Sequence, residues 1–85
     1  QRDSDQIHTK LGTAYFDSGQ NRLAIEHLQS ALQLNPRNGR ALVTLGNVHQ
    51  TMGNNAEAKE TYERYLRVEP KGKFAADVQL ILENL

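Results

Sequence analysis

The sequence predicts an all-α fold of two antiparallel helical hairpins followed by one more helix. Three observations carry that prediction. Two stretches overlay at a spacing of 34 residues: His8-x-x-Leu11-Gly12-x-x-Tyr15, Ala24-x-x-x-Leu28 and Pro36 fall on Leu42-x-x-Leu45-Gly46-x-x-His49, Ala58-x-x-x-Tyr62 and Pro70. Eight of the 34 overlaid positions are identical, and most of those are small or apolar: Leu11, Gly12, Gly19, Asn21, Ala24, Glu26, Leu32 and Pro36. Between the Gly and Pro marks, apolar residues recur every three or four positions, which is the period of a helix and not of a strand.

The elements follow from that punctuation. Asp5–Ser18 carries Ile7, Leu11, Ala14 and Tyr15 on one face and stops at Gly19, which reaches the left-handed cap conformation without steric cost. Asn21 is the expected cap of the next helix, Arg22–Leu34, whose apolar residues are Ala24, Ile25, Leu28, Ala31 and Leu32. Asn35-Pro36 ends it, because proline bars helical geometry in the residue before it and donates no N–H. The second unit repeats the plan with Arg40–Met52, Gly53, a cap at Asn55, Ala56–Val68 and Glu69-Pro70. Connections this short force consecutive helices to run antiparallel. Residues 73–85 form the last helix, with Phe74, Val78, Ile81, Leu82 and Leu85 on one stripe and Leu80 off it.

Period and residue classes together resemble the tetratricopeptide repeat, a helix–turn–helix unit of about 34 residues. The resemblance covers residues 5–72 and divides a single domain of residues 1–85 into repeat 5–38, repeat 39–72 and a capping helix 73–85. It implies a right-handed α-solenoid in which the glycines Gly12 and Gly46 let each first helix approach Ala24 or Ala58 of its partner closely. A repeat array needs a terminal element with one apolar and one polar face, and residues 73–85 supply it. Where a third unit would carry its glycine, this chain has Leu80.

The resemblance also implies a function: binding a peptide or a segment of a partner protein in a concave groove lined by the first helices. The matching groove positions are Gln6, Thr9, Thr13, Phe16 and Asp17 in the first unit. In the second they are Arg40, Val43, Asn47, Gln50 and Thr51. The set is polar and mostly uncharged, with Phe16 expected as an exposed apolar anchor. The alternative is a structural self-association element of a larger repeat protein, pairing through Leu80 or the open first helix. Relatives that grip acidic chaperone tails use a cationic clamp; its positions here hold Thr9, Thr13, Thr44, Phe74 and Val78, which offer no charge-assisted bond.

Composition narrows the other classes. Ten Lys and Arg balance ten Asp and Glu, so the positive footprint of a nucleic-acid binder is missing. No apolar run approaches the roughly 20 residues of a membrane span. There is no Cys to form a disulfide, which fits a reducing compartment and equally a Cys-free periplasmic domain, so the setting, cytoplasmic or periplasmic, is left open. The chain opens on Gln1 rather than Met and reads as a piece of a longer protein.

Neither catalysis nor a cofactor is expected. Ser4, Ser18 and Ser30 sit in no nucleophile motif, and the six glycines are dispersed by the repeat rather than gathered in a phosphate loop. His8, His27 and His49 lack a second His at the i,i+3 or i,i+4 spacing that preorganises a metal site, and only His8 has a carboxylate so placed, the single Asp5. They read as packing residues. Glu60–Arg64 and Glu63–Arg67 read as the solvated face of their helix.

Overall fold

The computed structural model describes residues 4–85; residues 1–3, the start of the expected single domain, lie outside the described residues. Among the described residues there are five helices and no strand: α1 (Ser4–Asp17), α2 (Asn21–Leu34), α3 (Gly39–Thr51), α4 (Asn55–Val68) and α5 (Ala75–Glu83). The pairs α1/α2 and α3/α4 are the two hairpins, α2 packs on α3, and α5 packs on α4. The core runs from α2 to α5, from Ala24, Leu28 and Ala31 through Leu42 and Val48 to Tyr62, Tyr65 and Val78, with Tyr15 and Phe16 of α1 packed on its edge.

Both hairpins turn by the same device. Gly19 and Gly53 have φ of 82° and 79°, a conformation that a Cβ would strain. The N–H of Gln20 reaches Tyr15 O at 2.8 Å and that of Gly19 reaches Phe16 O at 3.0 Å, while Asn54 and Gly53 do the same to His49 and Gln50. These paired bonds satisfy the last carbonyls of α1 and α3 and reverse the chain.

The expected caps need correction. Asn21 and Asn55 are the first helical residues, not the caps: Gln20 and Asn54 hold the cap positions, and neither uses its side chain. The tight glycine turn closes one residue earlier than the sequence reading placed it, so helix begins at the asparagine itself. The side-chain cap that does form is Asn38, whose Oδ1 accepts from Ala41 N at 2.9 Å. Its Nδ2 donates to Asp5 Oδ2 at 2.8 Å and to Thr9 Oγ1 at 3.1 Å, and Asn35 Nδ2 also donates to Asp5 Oδ2 at 3.1 Å. One buried carboxylate thus ties the start of α1 to the α2–α3 loop.

The close approach of the hairpins is as the sequence requires, with one refinement. A Cβ on Gly12 would lie 2.6 Å from Leu28 Cγ, and one on Gly46 would lie 2.5 Å from the Tyr62 ring. The glycines therefore make room for the residue one turn beyond Ala24 and Ala58. At Gly12 the Ala24 carbonyl oxygen is the next neighbour, at 3.2 Å.

The first helices of the two units differ in burial. Ile7, Leu11 and Ala14 form an apolar face on α1, but that face is not core: Ile7 is 56% exposed, Leu11 40%, and Ala14 is exposed too. Their counterparts on α3 are Ala41 at 0%, Leu45 at 5% and Val48 at 0%. The α3 face is covered because α2 packs on it; among the described residues no helix stands in front of α1.

The last helix is shorter than expected, Ala75–Glu83 rather than residues 73–85. Lys73 and Phe74 belong to the turn, where Phe74 N donates to the Tyr65 hydroxyl at 3.0 Å and the Phe74 ring meets Tyr65 edge-on. Val78 and Ala75 are buried against α4; Phe74, Ile81 and Leu82 are half-buried, and Leu85 is exposed rather than on the packed stripe. Leu80, in the register of Gly12 and Gly46, stands 59% exposed.

Candidate binding groove

The ten groove positions fall on α1 and α3, which touch each other directly. Gln6, Asp17, Arg40, Gln50 and Thr51 are exposed; Thr13, Val43 and Asn47 are half-buried. Two positions depart from expectation. Thr9 is buried, with its hydroxyl donating to Asp5 O at 2.7 Å, because the Asp5–Asn38 knot draws it inward. Phe16 is half-buried and packs on the core rather than standing free, since the turn at Gly19 folds α2 back beside it.

At its open end the surface deepens into a cleft of about 590 Å³. Gln6, Thr9 and Lys10 of α1 line one side, Arg40 of α3 the other, and Arg37 and Asn38 the floor of the loop between. Asp5 at its edge is held below its ordinary pKa of 3.8 by the hydrogen bonds from Asn38 and then Asn35, so it is a carboxylate in the folded protein. Thr13 donates back to Thr9 O at 2.9 Å. This end of the surface is therefore built from side chains already engaged with one another, with Gln6, Lys10, Asn35, Arg37 and Arg40 the exposed ones.

The other half of the surface is ordered from behind. The Tyr62 hydroxyl, on α4, lies 2.6 Å from Asn47 Oδ1 and 3.0 Å from Gln50 Oε1. Burial pushes the Tyr62 phenol up to about 12, so it keeps its proton and remains a donor. In the first unit Leu28 replaces Tyr62, and Thr13 and Phe16 replace Asn47 and Gln50, so no such bond exists there.

Sequence reasoning missed one pair. His8 of α1 and His27 of α2 bring their Nδ1 atoms to 3.1 Å across the first hairpin, and the Tyr15 ring stacks on His27 at 5.4 Å. Spacing along one helix cannot reveal a pair made between two helices; only the hairpin geometry could have pointed to it. No cluster of three or more His, Cys, Asp or Glu among the described residues is placed to hold a metal ion.

Stacked helical hairpins with polar side chains on adjacent first helices define a repeat-built protein-interaction module. The chain belongs to the tetratricopeptide repeat family, whose model matches residues 5–84. It is also 34% identical over 84 residues to a Petunia hybrida protein described as a probable UDP-N-acetylglucosamine–peptide N-acetylglucosaminyltransferase SPINDLY. A Solanum lycopersicum protein of the same description is 32% identical over 84 residues. Each match takes in 96% of this chain but spans only 9% of the relative's length.

Proposed function

We propose that this chain is a non-catalytic protein-interaction module that holds a peptide or a segment of a partner protein along α1 and α3. The observation that supports it most is the division of labour on α3. Ala41, Leu42, Leu45 and Val48 are buried in the core, whereas Arg40, Gln50 and Thr51 stay exposed beside the exposed Gln6 and Asp17 of α1. Polar side chains mounted on buried helices form a fixed surface whose ordering cost is already met by folding, which favours binding of an extended or helical segment. In this reading residues 5–38, 39–72 and 73–85 act as two repeats and a cap within one domain. The SPINDLY relatives are described as transferases acting on peptides, and the module would present a polypeptide to chemistry carried elsewhere.

Peptides selected from a random linear display library, titrated into ¹⁵N-labelled protein, test this. Shifts at Gln6, Arg40, Asn47 and Gln50 support the groove; shifts confined to α4 and α5, or none, overturn it. An acidic chaperone tail is expected not to bind, because Thr9, Thr44 and Val78 at its clamp positions are buried as well as uncharged, and micromolar affinity would contradict this.

A second reading, self-association, draws on the exposed Ile7, Leu11 and Leu80. Light scattering over a concentration series separates the two: a monomer throughout supports the groove alone, and a tight dimer supports assembly through one of those faces.

A further inference from the structure

We infer that the free flank of the first hairpin is a self-pairing surface: α1 meets α1 of a second copy of this chain in antiparallel fashion, with Lys10 of each opposite Asp17 of the other. This rests on the self-association reading above and narrows it to one face and one geometry.

The flank is broader than α1 alone. Ile7, Leu11 and Ala14 follow one another at spacings of four and three, the seam of a helix that packs lengthwise on another helix. On α2, Leu23, His27 and Leu34 follow one edge at helical spacing, and the 3.1 Å contact between His8 and His27 sets that edge beside α1. Leu34 is 58% exposed, and the Tyr15 ring stacked on His27 fills the valley between the two helices. The apolar part is therefore a two-helix face rather than a scatter of single side chains.

Charge names the mate. Lys10 and Asp17 are both exposed and stand two turns apart on the same edge of the seam. In a parallel pair each would meet its own like. In an antiparallel pair about a twofold axis each meets the other, twice, and Leu11 of one copy lies over Ala14 of its mate. A head-to-tail mate is poorer, because α5 carries the exposed Asp77 and Glu83 one turn to either side of Leu80 and would set carboxylates against the strip. A twofold contact also closes on itself, so it stops at the dimer. The few apolar side chains involved fall short of the roughly 800 Å² per partner of a standard interface, so the pair is reversible and the dilute protein keeps α1 bare.

Sedimentation velocity from micromolar to near-millimolar protein tests the assignment, with circular dichroism to confirm that each variant is folded. The parent is expected to pass from monomer to dimer. Leu11→Glu, at a site exposed in the monomer, is expected to weaken pairing by more than about tenfold, because two carboxylates are then desolvated near the axis. Leu80→Glu is expected to leave it unchanged. Lys10→Asp and Asp17→Lys are each expected to weaken it several-fold, and the double exchange to restore the parent's association, since the opposite-sign pairs are rebuilt. Single reversals without effect, or a double exchange that does not recover, would overturn the antiparallel geometry. A dimer lost in Leu80→Glu and kept in Leu11→Glu would overturn this face and leave self-association standing. A monomer at every concentration would remove the self-association reading and this proposal together.

Discussion

The two repeats share a plan and eight identical positions, yet their first helices live in different surroundings. On α3, Ala41, Leu45 and Val48 are roofed by α2; on α1, the matching Ile7, Leu11 and Ala14 face solvent. Behind α3 a tyrosine fills the space over the glycine and ties down two amides, whereas behind α1 a leucine fills it and ties down nothing. Identical spacing therefore fixes where a side chain points. What it meets there depends on the neighbouring helix, and so does its energetic weight.

Paired substitutions at matching positions break or sharpen that contrast. The largest difference is expected between Leu45→Ala, which opens a cavity and costs about 2–5 kcal/mol, and Leu11→Ala, which changes stability by about 0.5 kcal/mol or less. Thermal melts check it, since 1 kcal/mol shifts the midpoint by roughly 4–8 °C in a domain of this size. Equal shifts would mean that α1 is covered in solution.

Next come the glycines. Gly46→Ala sets a methyl against a ring held at both its face and its hydroxyl, and is expected to cost about 1–3 kcal/mol. At Gly12 a methyl would meet Cγ of the buried Leu28 at 2.6 Å and the Ala24 carbonyl oxygen at 3.2 Å, and alanine's gain of about 1 kcal/mol in helix propensity offsets part of that, so Gly12→Ala is expected to cost less than Gly46→Ala. The bulkier Gly12→Leu and Ala24→Leu are expected to cost about 1–3 kcal/mol. Urea denaturation of the four variants ranks them directly.

The smallest effects are in pH, and the two units respond at opposite ends. The folded state holds Asp5 ionised by its bonds to Asn38 and Asn35, so this contribution is present above pH 3.8 and is lost as pH falls through the lowered value. Asp5→Asn is expected to flatten that acid limb. Tyr62 is the reverse: folding favours its neutral form, so its contribution is present below pH 10 and is lost as pH rises toward about 12. Melts of Tyr62→Phe between those two values should fall less steeply than those of the parent.

Much of the fold was legible in the residues because glycine and proline act locally. Gly19 and Gly53 adopt the left-handed turn their chemistry favours, and Pro36 and Pro70 follow the last turns of α2 and α4. Burial was less legible, since periodicity identifies an apolar face without showing whether anything covers it; Ile7 and Leu11 are the case in point. The groove positions came from the family pattern, which puts them on α1 and α3. It could not foresee Thr9 pulled inward by Asn38 or Phe16 folded onto the core, because both depend on contacts between segments some 10–30 residues apart. The Tyr62–Asn47 bond and the His8–His27 pair escaped for the same reason.

Leu80 gives the molecule a direction. At the register where the earlier units need a bare backbone, it raises a four-carbon side chain toward the side from which a hairpin partner would arrive. A helix approaching α5 as α4 approaches α3 would be held off by that bulk. The two flanks of the stack are therefore unlike: α1 offers a flat apolar strip, and α5 a raised side chain where a close helix crossing would need bare backbone.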